Sequence, residues 1–171
     1  MRKALLVIDL QNDYFPGGKY PLCNAEATLA QVLQAIALAT AKGVPVVHVQ
    51  HVADPAKGIS PFFNADSEGV AIHAAVLAAA PEAPVIMKRH ADSFLNTTLA
   101  TTLQQLGVDE LLVCGMMTQN CVTHTAISKA AEAYRVTVLR DCCTTVDPMI
   151  HALALNALAP RVPLLVASEA F

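Results

Sequence analysis

The chain is short of charge. Asp, Glu, Lys and Arg make up 15% of its 171 residues, the net charge is −3, and the basic side chains are scattered. Without a basic run to track phosphates, nucleic acid is not an expected partner. No G-x-G-x-x-G follows the first apolar run and no G-x-x-x-x-G-K-[ST] occurs anywhere, which argues against a nucleotide-binding enzyme. Cysteine is present but unpatterned: Cys23, Cys114, Cys121, Cys142 and Cys143 are odd in number and show neither C-x₂-C nor disulfide-scaffold spacing. A reducing, cytoplasmic setting is therefore expected. The first apolar run stops at Asp9, too early for a signal segment or a membrane span, so no membrane partner is expected. Internal repeats and low-complexity segments are absent.

What remains is apolar. At 18.1 kDa and 54% hydrophobic residues, the chain reads as a single domain over 1–171 with apolar surface to spare. Such a surface is expected to be buried against further copies, as a homodimer or homotetramer, with Phe62 and Phe63 in a long loop as one patch a partner could cover.

Short apolar runs alternate with helix-forming stretches. Ala4–Ile8, Val44–Val49, Val85–Met87, Glu110–Cys114, Val136–Leu139 and Val162–Val166 read as strands. Helices are expected from Glu26 to Lys42 before Gly43, over Val70–Ala80, from an Asn96 cap to Leu106, from Cys121 towards Tyr134, and from Pro148 to about Leu158. Strand-then-helix order points to a doubly wound α/β fold with a parallel sheet, whose ligands bind beyond the carboxyl ends of the strands. The long segment Ala53–Gly69 has no helical period, and its paired Phe62 and Phe63 favour a lid or a surface that a partner buries over a disordered segment.

Asp9, Lys88 and Cys121 each lie at or just past a predicted strand end. Cys121 follows Gly115 in Val113-Cys-Gly-Met-Met-Thr-Gln-Asn-Cys-Val-Thr-His-Thr125, and Thr118 or Asn120 can cap the helix it enters. A helix start offers unpaired N–H groups and a positive dipole end, which favour a thiolate. Either a reactive thiol or a buried core cysteine fits this stretch alone. Together, an acid, a lysine and a cysteine suit covalent catalysis: the acid takes and returns a proton, the lysine stabilises charge, and backbone N–H groups hold an oxyanion. Tyr14, Phe15, Phe62, Phe63 and Phe94 are candidate pocket walls for a small-molecule substrate. Cys142 and Cys143 read as packing, His124 and His151 as surface residues.

Leu6-Val-Ile-Asp-Leu-Gln-Asn-Asp-Tyr-Phe15, Lys88 with Phe94 and Thr98-Leu99, Gly115-Met-Met-Thr-Gln-Asn-Cys-Val122 with Thr125-Ala126, and Asp141 together resemble the isochorismatase-like cysteine hydrolases over nearly the whole chain. The resemblance implies a three-layer α/β/α fold with a six-stranded parallel sheet, a triad at Asp9, Lys88 and Cys121, a cis Met116–Met117 peptide, and an oxyanion hole from the N–H groups of Met117 and Cys121. Members hydrolyse C–N bonds of small amides, ureido and carbamoyl compounds. Isochorismatases cleave a vinyl ether and do without the cysteine, so Cys121 favours C–N hydrolysis here; a vinyl-ether hydrolase or a non-catalytic binding module are the alternatives. Metal-dependent nicotinamidases carry Asp-x-His after the second strand, where this chain has His48-Val-Gln-His51, followed by His73 and His90. The carboxylate is missing, and residues i and i+3 of a strand point to opposite faces. No metal or other cofactor is therefore expected.

Overall fold

A computed structural model describes residues 2–171. A parallel sheet in the order β3-β2-β1-β4-β5-β6 runs through its middle, built from β1 Lys3–Ile8, β2 Val46–His51, β3 Val85–Lys88, β4 Glu110–Met116, β5 Arg135–Thr144 and β6 Leu164–Leu165. From Ala4 to Ile8 and from Leu111 to Met116 every residue is buried. Unbroken apolar runs dictate this, because a strand covered on both faces has no polar side to present. The cover comes from α1 Ala25–Ala41, α2 Ala74–Ala79, α3 Leu99–Gln105, α4 Thr123–Ala126, α5 Pro148–Leu158 and α6 Ala167–Ala170, giving three α/β/α layers. In α1 the buried residues Thr28, Val32, Ala35, Ile36 and Ala39 recur at helical spacing along one stripe. Burying a side chain such as Val32 or Ile36 contributes about 1.5–3 kcal/mol, so this stripe fixes the helix on the sheet.

The chain builds outward from β1 through β2 to β3, then returns to place β4 on the other side of β1. The strand order reverses between β1 and β4, and the crevice beyond their carboxyl ends is the natural ligand position. Gly115 makes the pairing close: its φ is 126°, and a Cβ there would stand 2.0 Å from the Ile8 carbonyl oxygen. Only glycine lets the two strands approach so nearly at this point.

Several elements differ from the sequence reading. No helix runs from Cys121 to Tyr134: Thr118–Val122 is a π-turn, α4 ends at Ala126, and a 3-10 turn at Ala130–Ala133 leads into β5. Neither Thr118 nor Asn120 caps by its side chain. β5 runs past Arg140 and Asp141 to Thr144, its register against β4 shifting between Val113 and Gly115. Asp141 turns its carboxylate to Ala167 N at 3.0 Å, at the start of α6. Asn96 takes a left-handed φ of 55° and does not cap α3, whose first amide, Leu99 N, donates to Thr97 Oγ1. Before α2, Glu68–Val70 forms a separate 3-10 turn.

The long loop is also more ordered than its composition suggests. Ala53 N donates to Phe63 O at 2.8 Å and closes its neck, and Phe63 N donates to Asp13 Oδ2 at 2.7 Å. Gly69 permits that anchor, since a Cβ there would lie 2.0 Å from Asp13 Oδ1. Phe63 is buried edge-on to Tyr14, and Phe62 stacks on Tyr20, so this pair is not an open patch. Exposed large apolar side chains include Ile59 in this loop and Met87 on β3, and three of them, Met149, Ile150 and Leu153, lie together on α5. Among the described residues, no helix is long and apolar enough to cross a membrane.

Candidate active site

Three strand ends meet beyond the sheet. Asp9 follows β1, His51 ends β2 and Lys88 ends β3, with His51 and Lys88 in register. Lys88 is two strands away from Asp9, so its side chain must cross the end of β2 to reach it. In doing so its ammonium comes within 3.2 Å of His51 Nδ1 and 3.0 Å of Asp9 Oδ2. Asp9 holds its place with φ at 55°, a left-handed conformation that costs a residue with a Cβ something on the order of 1 kcal/mol. Backbone strain of this kind is tolerated where the surrounding contacts fix the residue.

Asp9 and Lys88 are sealed from solvent. The N–H groups of Lys88 are directed at His51 Nδ1 and at the carbonyls of His90, 3.0 Å, and Ala91, 3.5 Å. The ammonium also lies against Asp9 Oδ2 as a buried ion pair, while Asp9 Oδ1 is buried with no nitrogen or oxygen hydrogen-bond partner. That oxygen is the one placed to receive a proton. The Cys121 thiol is close by: its Sγ, a carboxylate oxygen of Asp9 and a ring nitrogen of His51 all lie within 4.8 Å of one another, and Sγ stands 3.9 Å from His51 Nδ1.

The charges explain the protonation state. Burial pushes the Asp9 carboxyl up, but the Lys88 charge leads the effects that outweigh it and hold it below the ordinary range. For Lys88, burial pulls down while Asp9 and Cys121 raise it further, so the ammonium persists. Burial and then the Asp9 charge push the Cys121 thiol well up, against the opposing pull of Lys88. One buried cation cannot support two buried anions, so the resting site is carboxylate, ammonium and thiol. This corrects the expectation of a thiolate stabilised by a helix start.

The π-turn shapes the other half of the site. Met117 O accepts from Asn120 N at 3.0 Å and Val122 N at 3.3 Å, so the carbonyl that an α-turn would give to Cys121 N–H is taken by others. Met117 N–H has no acceptor among the described residues. The Met116–Met117 peptide is cis. Thr118 Oγ1 meets His151 Nδ1 at 2.8 Å, and Thr123 Oγ1 donates to Thr118 O at 2.6 Å, so the turn is tied to α5 and α4. His151 is therefore a half-buried structural partner and not a surface residue. Ser93 N donates to Thr125 Oγ1 at 3.0 Å and fixes the loop after β3 against α4.

His51 is the member that strand periodicity missed. An ammonium only donates, so Nδ1 facing Lys88 carries a lone pair and the ring proton sits on Nε2. Nε2 has no partner among the described residues, and His51 lines a cavity of about 300 Å³. Gln11, fully buried, grips the His51 backbone from both sides, Nε2 to His51 O and His51 N to Oε1, each at 2.8 Å.

Of the five aromatic candidates, Tyr14 and Phe63 stand near this centre. Tyr14 is pushed up by burial first and then by the charges of Asp9 and Cys121, and the Phe63 ring lies 5.8 Å from that of His51. Phe15 packs on His73, Phe62 on Tyr20 and Phe94 on Tyr134.

The histidines do not converge on a metal. His48 turns to Ala80 O at 3.2 Å, and His73 Nδ1 accepts from Ala75 N at the start of α2. Asp9, His51 and Cys121 do converge, but the Lys88 ammonium already lies against the first two at 3.0 and 3.2 Å. A divalent ion there would face a buried positive charge, so this donor set does not fit one.

Residues 3–170 match the isochorismatase domain model. The chain is 43% identical over 151 residues to YddQ of Bacillus subtilis, an uncharacterized isochorismatase family protein, covering 88% of this chain and 82% of that one. It is 31% identical over 152 residues to a maleamate amidohydrolase of Pseudomonas putida, covering 82% and 71%. The crystal structure of an isochorismatase family protein from Desulfovibrio vulgaris superposes with a TM-score of 0.87 at 28% identity, over 97% of this chain and 94% of that one.

Proposed function

The chain belongs to the isochorismatase family of hydrolases, and within it we propose a cysteine-dependent hydrolase that cleaves the C–N bond of a small amide, ureido or carbamoyl compound. The observation that carries this reading is the buried Cys121 thiol grouped with the Asp9 carboxylate, whose Oδ1 has no nitrogen or oxygen hydrogen-bond partner and whose Oδ2 pairs with the Lys88 ammonium. Amidohydrolase relatives support it.

In the proposed reaction Asp9 accepts the thiol proton as sulfur attacks the carbonyl carbon. The oxyanion is held by the N–H groups of Met117 and Cys121. When the C–N bond breaks, Asp9 returns the proton to the leaving nitrogen, and a thioester remains on Cys121. Asp9 then takes a proton from water as the water oxygen attacks the thioester. Sulfur leaves as a thiolate beside Lys88 and is reprotonated from Asp9. Lys88 keeps the total charge of the buried site near zero throughout.

We further propose a homo-oligomer that buries the exposed face of α5, where Met149, Ile150 and Leu153 crowd a helix with no charged residue. Ammonia release from a panel of small amides, ureido acids and carbamoyl compounds tests the function. Turnover by the native protein that Cys121→Ala abolishes supports it, and turnover that survives this change removes it.

A further inference from the structure

The winding of the turn at Thr118–Val122 decides which amide is left for chemistry. In an α-turn the N–H of residue i donates to the carbonyl of residue i−4, so Cys121 N–H would be spent on Met117 O. This turn is wound one residue wider. Val122 N donates to Met117 O at 3.3 Å and Thr123 N donates to Thr118 O, each reaching back to residue i−5, while Cys121 N does not donate to Met117 O. The amide that the proposed hydrolysis turns to the oxyanion is therefore withheld from Met117 O because the turn is π and not α.

A π-turn is the rarer winding and is found mostly where a function needs it, so something must hold it. Thr118 is held from two sides. Its carbonyl accepts from Thr123 Oγ1 at 2.6 Å, and its own Oγ1 meets His151 Nδ1 at 2.8 Å. Thr118 is fully buried, so without His151 its hydroxyl has no water to turn to. The contact holds in either tautomer of the ring, since a hydroxyl both gives and takes a hydrogen bond. His151 itself stands on a fixed support. Helix α5 begins at Pro148, Asp147 Oδ1 accepts from Met149 N at 2.7 Å, and Ala154 and Leu158, three and seven residues after His151, are buried.

We propose that His151 is a positioning residue for the hydrolysis: through Thr118 it keeps this turn π-wound, and so keeps the N–H groups of Cys121 and Met117 available to the oxyanion. The role in turnover rests on the hydrolase reading above; the tie from α5 to the turn stands on geometry alone. When the tie is cut, the turn is free to rewind as an α-turn, Cys121 N–H returns to Met117 O, and one oxyanion donor is lost. The charges around the thiol come from Asp9, Lys88 and His51 at the strand ends, and they stay where they were.

The experiment compares Thr118→Val and His151→Leu, which cut the tie, with Thr118→Ser and His151→Asn, which return a hydroxyl and a polar atom near the place of Nδ1. On an amide that the native protein turns over, each cutting variant should lower kcat by about ten- to a hundredfold with KM within about threefold, since one oxyanion donor is typically worth about 10²–10³-fold. The double variant should lose no more than the worse single one, because both remove the same contact. Thr118→Ser and His151→Asn should recover most of the rate. Iodoacetamide labelling of Cys121 is a displacement that uses no oxyanion hole, and it should stay within about threefold of the native rate throughout. Losses that multiply in the double variant, or labelling that speeds up as turnover falls, would mark general loosening and overturn the proposal.

Propionaldehyde separates this role from the hydrolase reading. Cys121 sulfur bonds to its carbonyl carbon, the π pair of the carbonyl moves to oxygen, and the thiol proton passes to Asp9, which leaves that oxygen in the same hole without any C–N bond to break. The concentration that protects Cys121 from iodoacetamide should rise about tenfold or more in Thr118→Val and His151→Leu. That result, with no turnover of any amide by the native protein, keeps the positioning role and removes the hydrolase. Native turnover whose kcat both cutting variants retain keeps the hydrolase and removes the positioning role. Protection equal across the variants also overturns it, and a native protein that is neither protected nor active removes both readings.

Discussion

Asp9→Asn separates ionising the sulfur from delivering a proton. In the resting site the Cys121 thiol is held up by burial and by the Asp9 charge. Asparagine keeps the shape and accepts the left-handed φ of 55° readily, but it removes the anion. The Asp9 oxygen and Cys121 Sγ lie within 4.8 Å. At that separation, with an effective dielectric of about 20, repulsion between carboxylate and thiolate is on the order of 3 kcal/mol. Removing it enlarges the thiolate population by on the order of a hundredfold. A less basic thiolate is also a weaker nucleophile, so the alkylation rate should rise by about tenfold or more. Amide turnover should move the opposite way, falling by about 10²–10⁴-fold, because the group that takes and returns the proton is gone. Mass spectrometry of the Cys121 peptide during timed iodoacetamide labelling at neutral pH gives the first rate, and ammonia release gives the second. Labelling of Cys121 that slows or stays unchanged in Asp9→Asn would refute the electrostatic reasoning.

Lys88→Met should slow the same labelling and lower the melting temperature, since it leaves the Asp9 carboxylate buried without its cation, a change that typically costs about 3–5 kcal/mol. The Asp9 carboxyl lies below its unfolded value, so the stability that its pairing contributes is present above about pH 3.9 and is lost as pH falls through the folded value. Chemical denaturation of the native protein and Asp9→Asn across acid pH should show the native protein losing stability faster on acidification, and parallel curves would contradict this. Leu153→Glu places a charge in the exposed apolar face of α5 and should shift sedimentation at micromolar concentration to an 18.1 kDa species with the fold retained by circular dichroism. A native protein that already sediments as that species removes the oligomer.

The strands were legible because parallel strands covered on both faces read as continuous apolar runs, as in Ala4–Ile8 and Leu111–Cys114. So was α1, whose apolar stripe ends at Gly43. The stretch after Cys121 was not, because its helix pattern competes with β-branched Val122, Thr123, Thr125 and Ile127, which are poor helix formers. What decides there is the tertiary tie from Thr118 to His151 and the capture of two N–H groups by Met117 O. Asp9, Lys88 and Cys121 could be placed from strand ends alone, and the structure brings all three together. His51 escaped because a two-histidine rule within one strand measures chelation, whereas His51 meets partners from β1 and β3. The signal was available: His51 ends its strand as Lys88 ends its own. The direction of the thiol shift was misread for a related reason, since a local helix-start argument leaves out burial and the neighbouring carboxylate.

The covalent role of Cys121 is tested most directly by quenching the enzyme in acid during turnover of any substrate found in the amide panel and weighing the Cys121 peptide. The expected result is a mass increase equal to the acyl part of the substrate, on Cys121 and no other cysteine, that forms and decays with turnover and never appears in Cys121→Ala. An unmodified Cys121 peptide at every time point, together with ammonia release by Cys121→Ala at a rate near the native one, would contradict it.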